Sequence, residues 1–432
     1  MEGEVLNREL GLWDAVALGL GSILGTGVFV TLALAAGAAG PAVVLAVGLA
    51  GALAAANGLS SAQLAAAHPV SGGTYEYGYR LLAPWLGFSA GWMFLAAKSA
   101  SAATAALGFA GYLLHAVGGE DGLRIPVALA IVVLFTLLVS SGLRRSNRVN
   151  WAIVGAALLS LAFFVGAGAP AAWREASTNL TPFFAPGEGR SAPSGLFYAT
   201  ALVFVAYTGY GRIATLGEEV REPRRTIPRA IIVTLVVTVI LYAAVAAIGT
   251  AVAGSAELSR SASGEAAPLG AVAHQFAGPA GARVVAIGAL AALLGVLLNL
   301  LLGLSRMALA MSRRGDAPAA LSRIDARRGT PRLAVLAVGA LVLVLAALGD
   351  VETTWSFSAF TVLVYYAVTN LAALRLPAAA RRYPPWVAWL GLGGCLFIAF
   401  WVEPAVWAAG LALLAVGLAG HRIAATRRRS PG

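Results

Sequence analysis

Gly19-Leu20-Gly21-Ser22-Ile23-Leu24-Gly25-Thr26-Gly27 places four glycines within nine residues, in the middle of an apolar run over 13–36. Glycine weakens a helix and opens backbone angles that other residues avoid. One reading is close helix packing, since Gly21 and Gly25 form a G-x-x-x-G pair. The other is a helix interrupted half-way across a membrane. A second stretch of the same kind, Phe204-Val205-Ala206-Tyr207-Thr208-Gly209-Tyr210-Gly211, lies near the end of a later apolar run. The two stretches occupy corresponding places if the first ten runs form two five-helix halves. Interrupted segments at matching places in two halves point to a binding site between inverted repeats. Amides at a half-helix N-terminus attract a carboxylate, and carbonyls at the opposite end attract an ammonium. That pair of features suits a zwitterion.

The runs around these stretches set the class. Hydrophobic residues make up 59% of the 432-residue chain and charged residues 11%, with a mean hydropathy of +0.82. A soluble chain of this length needs more polar surface. The apolar runs are near the length that crosses a hydrocarbon core of about 30 Å, and short alternating strands of a barrel are absent. Twelve helices are expected, at 13–36, 40–66, 85–115, 125–143, 149–168, 193–214, 229–253, 282–311, 331–349, 354–376, 385–402 and 404–424. Polar links between most of them are short, so one all-α integral membrane domain is expected.

Charge sets the orientation. With the N-terminus inside, 22 arginines fall on the cytoplasmic side, against five (Arg124, Arg174, Arg190, Arg260 and Arg283) on the other. The positive-inside rule then places both termini in the cytoplasm. The net charge of +11 reads as a topology signal that touches anionic lipid, and nucleic acid is not expected as a partner. The opening Met1-Glu2-Gly3-Glu4 is unlike a signal peptide, and the single Cys395 allows no internal disulfide. Arginine bias and alanine richness suggest a GC-rich bacterial genome, hence the inner membrane.

Four motifs in order resemble the amino acid–polyamine–organocation transporter family, and the resemblance runs along most of the chain. Gly19 to Phe29, GLGSILGTGVF, is similar to its helix 1 signature. His68 to Tyr77, HPVSGGTYEY, is similar to its loop after helix 2. Phe204 to Ile231 follows its helix 6 pattern through Glu218-Glu219, Pro223, Ile227-Pro228 and Ala230. Ser305-Arg306, Arg313, Gly315, Pro318 and Thr330-Pro331 resemble the end of helix 8 and its loop.

The resemblance implies a leucine-transporter-like 5+5 inverted repeat, residues 12–168 and 193–376, with two appended helices over 385–424. It implies secondary transport of amino acids by alternating access. By motif position, the amides around Gly25, Thr26 and Gly27 would hold the substrate carboxylate. The carbonyls of Ile23, Val205, Ala206 and Thr208 would hold the ammonium, and Ser22, Phe204, Tyr207 and Gly209 would line the site. Glu218 and Glu219 would belong to an inner gate. No carboxylate is visible in helices 1, 3, 6 or 8 to pair with a cationic side chain, and an unpaired buried cation is costly. Neutral amino acids are therefore expected, with a cationic amino acid or polyamine exchanger as the alternative and a non-transporting amino acid sensor behind it. Gly211 follows the helix 6 glycine–aromatic pair, and Arg212 after it offers a minor acidic-substrate reading, against one in which it reaches lipid phosphate or Glu218/Glu219 near the cytoplasmic end.

Lys98 is the only lysine, and it falls about 20 Å along helix 3 at 1.5 Å per residue. It cannot snorkel from mid-membrane and should face protein or a wet cavity. Some family members carry a lysine in helix 5; the matching place here is Ala157. Lys98 is thus the candidate for coupling to protons or for another charge role, against a structural lysine bonded to helix-end carbonyls or water. Sodium stays open as the coupling ion. No cofactor or metal is expected, since His68, His115, His274 and His421 are scattered. Enzyme motifs such as His-Glu-x-x-His and Gly-x-Ser-x-Gly are missing, and one lysine at position 98 leaves no phosphate-binding Gly-Lys-Ser/Thr. The number of copies in the assembly is not read from the chain.

Overall fold

The computed structural model describes residues 10–69, 72–142, 147–187, 189–215, 220–263, 267–325, 329–348 and 350–429. Among these no strand forms; there are two isolated bridges, Leu10 with Val220 and Asp325 with Thr330. The first apolar run is interrupted. Helix α1, Leu12–Ile23, ends where Leu24 turns extended (φ −71°, ψ 107°). A wide π turn over Gly27–Thr31 follows, and α2, Leu32–Ala39, resumes the run.

Most later helices follow the expected spans. They are α3 (Val43–Ala67), α4 (Thr74–Leu81), α5 (Pro84–Val117), α6 (Arg124–Ser140) and α7 (Asn147–Asn179). Next come α8 (Ala192–Tyr207), α9 (Gly211–Ala214), α10 (Pro223–Ala253), α11 (Ser255–Ser263) and α12 (Pro268–Arg314). The chain closes with α13 (Arg332–Ala347), α14 (Val351–Leu374), α15 (Pro385–Ala399) and α16 (Pro404–Arg429). Helix α7 runs past the expected end at 168 and through Pro170 to Asn179. Helix α12 is two helices joined at Gly278, whose φ of 62° no other residue type adopts cheaply, followed by Pro279. The short α4 and α11 fall between the expected spans. They are polar enough to escape a hydropathy reading, and Tyr75 and Tyr77 anchor α4 in two separate clusters.

Among the described residues, eight helical stretches are long and apolar enough to cross a membrane, one of them running from Leu12 to Ala67 through α1, α2 and α3. The shorter α6, α13 and α15 are also apolar. The outer surface carries Leu159, Ile240, Ile287, Val344 and Val416, all strongly exposed. In water such a surface would drive association, whereas hydrocarbon accepts it without cost. Exposed Trp13, Trp85 and Trp386 sit at helix starts, where indoles favour the membrane interface. The molecule is a multi-pass membrane protein.

Inside, α5 packs against both α12 and α14, and α1 against α7 and α10. The middle of α5, Ser99 to Ala106, is buried and made only of Ser, Ala and Thr. Small side chains let neighbouring backbones approach where lipid supplies no hydrophobic drive between helices.

Candidate substrate site at two helix breaks

The second interruption is a tight turn, Thr208–Tyr210, between α8 and α9. The two breaks touch. A Cβ on Gly27 would lie 2.4 Å from Ala206 Cβ, and a Cβ on Gly209 would lie 2.4 Å from the Ser22 carbonyl oxygen. Hydrogen at these two positions is therefore what permits the contact. Freed carbonyls at each break are met by hydroxyls. Tyr242 donates to the Ile23 carbonyl at 2.9 Å, and Tyr366 donates to the Thr208 carbonyl at 3.2 Å. The Thr208 hydroxyl donates to the Val205 carbonyl at 2.7 Å, and Tyr242 lies 3.5 Å from the Ala206 carbonyl. A carbonyl oxygen has two lone pairs, so each retains capacity for a second donor.

A void of about 30 Å³ lies between the breaks, about the share of one water molecule. Of the expected residues, Ser22, Ile23, Thr26, Gly27, Val205, Ala206, Thr208 and Gly209 line it. Three others sit elsewhere. Gly25 packs on α12, where its Cβ would meet Val296. Phe204 is buried edge-on against Tyr366. Tyr207 turns away, its hydroxyl donating to the Val47 carbonyl at 3.2 Å and its ring beside Tyr242. One residue of helical rotation, about 100°, carries Tyr207 off the face that Thr208 shares.

A larger cavity of about 200 Å³ adjoins the void and shares Ser22, Lys98, Thr208 and Gly209 with it. It runs along α12 from Val296 and Asn299 to Ala310, with Arg212, Arg306, Tyr365 and Tyr366 on its walls. Arg212 thus lines the cavity. Asn299 lines it as well, while its amide donates to the Gly21 carbonyl at 3.3 Å and the Ser22 hydroxyl at 3.4 Å. No Asp or Glu lines either space among the described residues.

Lys98 borders both spaces. Its amine donates to the Thr208 hydroxyl at 2.7 Å, so its partner is a hydroxyl at the second break and not a helix-end carbonyl. Ala157 is buried in the core. Sequence reasoning missed Phe94 and Ser101 of α5, Leu300 of α12 and Trp355 of α14, which also line the site. Phe94 and Ser101 stand four before and three after Lys98, the spacing of one helix face, so Lys98 could have pointed to them. Leu300 and Trp355 carry no local signal.

Glu218 and Glu219 lie outside the described residues. The end of the molecule toward which the cavity extends has other ionic ties. Glu76 pairs with Arg80 at 2.8 Å and with Arg314. Asp316, nearly buried, accepts from Tyr75 at 2.7 Å and from Tyr79, and faces His421 at 3.3 Å. Burial, then the hydrogen bond to Asp316, pushes both phenols well above the ordinary tyrosine range, so they remain donors. No group of three or more metal-binding side chains occurs among the described residues.

The amino acid permease model matches residues 10–416. The chain belongs to the amino acid permease family. The permease is 40% identical to an uncharacterized transporter of Mycobacterium tuberculosis, over 97% of this chain and 91% of that one. It is 30% identical to a branched-chain amino acid permease of Bacillus subtilis, over 91% and 88%. It is also 29% identical to a methylthioribose transporter of the same organism, over 95% and 92%.

Proposed function

We propose that this permease carries neutral amino acids across a bacterial inner membrane by alternating access, as a secondary transporter. The observation that carries this reading is the contact of two helix breaks around a void that opens onto a wider cavity. A twelve-crossing, leucine-transporter-like arrangement fits: the 12–67 stretch crosses twice, and α6, α13 and α15 each add one crossing to the remaining long helices. In this arrangement residues 12–168 and 193–376 are the inverted repeats. The amides of Gly25, Thr26 and Gly27 hold the carboxylate, and the carbonyls of Ile23, Val205, Ala206 and Thr208 hold the ammonium. The cavity reaches toward the end bearing Arg80, Arg313 and Arg314, which the positive-inside rule assigns to the cytoplasm. The state described is then inward-facing, and the motif assigns Glu218 and Glu219 to its inner gate.

Walls bearing Lys98, Arg212 and Arg306 and, among the described residues, no carboxylate disfavour a cationic side chain, since like charges in a poorly solvated space repel strongly. The branched-chain permease relative supports a neutral amino acid. The methylthioribose transporter relative supplies the competing ligand, which lacks the amino acid head group.

The test is thermal stabilisation of the detergent-purified protein by the twenty amino acids, polyamines and methylthioribose, followed by uptake into proteoliposomes. A ligand at a hundred times its Kd stabilises by about 2.7 kcal/mol. Neutral amino acids should raise the melting temperature and be taken up. Stabilisation by arginine or polyamines alone would overturn the selectivity. Methylthioribose alone would overturn the amino acid reading, and binding without flux would make the chain a sensor.

A further inference from the structure

We propose that Lys98 is the counter-ion of a substrate carboxylate, exchanging its hydrogen bond with Thr208 for one with the bound ligand. The inference rests on the amino acid reading of the site. Lys98 lines the same small void as Thr26 and Gly27 of the first break. Among the described residues its only hydrogen-bond partner is the neutral Thr208 hydroxyl, and no carboxylate lines the void or the cavity. An ammonium has three donors, and a charge in the membrane interior is held by an opposite charge or by water. The ligand supplies the missing anion. Lys98 is then a specificity residue whose charge acts on substrate, which gives the buried lysine its charge role without a bound ion.

The exchange has a structural consequence. Thr208 belongs to the turn that interrupts α8–α9, and its hydroxyl is the point at which α5 holds that turn. A carboxylate that draws Lys98 away releases the turn from α5, so substrate binding and bending of the second break are linked.

The ligand's carboxylate is either the α-carboxylate of any amino acid or the side-chain carboxylate of an acidic one. Binding to the full-length protein in detergent separates them, using the best neutral amino acid, its α-amide and glutamate. Wild type should prefer the acid to the amide. Lys98→Met should weaken the acid about tenfold to a hundredfold, the range of a charged hydrogen bond, while the amide changes less than about twofold. Lys98→Arg should restore most of the preference. A loss confined to glutamate would assign Lys98 to the side-chain carboxylate and still support the pairing. Thr208→Val, which keeps the backbone carbonyl and removes the competing hydroxyl, should raise the acid-to-amide preference; it serves if Lys98→Met does not fold. Unchanged acid-to-amide ratios and glutamate affinity in these variants, with wild type binding acid, would overturn this proposal alone. A wild type that binds neither acid nor amide would overturn the amino acid reading together with it.

Discussion

At the break after α1 the backbone itself leaves the helix: Leu24 is extended, and a five-residue π turn follows before α2. At the break after α8 the backbone stays right-handed, tightening at Thr208 (φ −71°, ψ −1°) and passing into α9. The first break is a change of the local backbone at Leu24, with Tyr242 on the Ile23 carbonyl beside it. The second is held from outside, by Lys98 on the Thr208 hydroxyl and Tyr366 on the Thr208 carbonyl. A break made by an extended backbone residue depends less on any one neighbour. A break held by side chains from two other helices can change when one of them finds a better partner. The comparison assigns the fixed half of the site to α1 and the movable half to α8–α9.

The largest effects should come from wedging the two breaks apart. In Gly209→Ala the new methyl meets the Ser22 backbone, and in Gly27→Ala it meets Ala206 and the Tyr242 hydroxyl. Overpacking of this kind costs about 1–3 kcal/mol. Gly209→Ala should be the worse of the two, because backbone yields less readily than a side chain. Proteoliposome flux should fall more than tenfold in each, with a lower melting temperature. Unchanged flux in both would mean that the contact between the breaks is not part of the transport cycle.

What was legible in the chain follows the same division. The glycine-rich stretch at 19–27 left packing and interruption as competing readings, and both occur. Gly21 and Gly25 lie against Asn150 and Val296, while Leu24 breaks the helix. Lys98 announced itself because a lysine inside an apolar run must find a polar setting. Its partner did not, since Thr208 is 110 residues away and only tertiary packing brings them together. Tyr207 was placed on the site by its motif, and the rotation of α8 sends it to Val47 instead. The helices α4 and α11 were missed because their burial comes from a few side chains in polar segments.

A smaller pair of effects sharpens the contrast. Tyr242→Phe and Tyr366→Phe each remove one hydroxyl from a break carbonyl. Such a loss costs about 1 kcal/mol when the carbonyl stays buried. The Ile23 carbonyl lies behind Tyr242, which is fully buried, so Tyr242→Phe should lower the melting temperature by that scale. Thr208 and Tyr366 border the larger cavity, where solvent can replace the lost donor. Tyr366→Phe should therefore cost less stability than Tyr242→Phe and change flux more, since it loosens the movable break. Equal effects on stability and flux from the two variants would erase the distinction between a fixed and a movable half.

The smallest effect is the control for all of these. A Cβ on Gly48, in α3, would meet nothing within 4 Å. The position is exposed on the helix surface, and alanine is the better helix former. Gly48→Ala should leave the melting temperature within the equivalent of about 0.5 kcal/mol and flux unchanged. If it damages the permease as much as Gly209→Ala does, then small residues in these helices are sensitive wherever they lie. The loss at Gly27 and Gly209 could no longer be ascribed to the meeting of the two breaks. If it is silent, the intolerance belongs to the two positions where a missing Cβ lets one broken helix rest on the other.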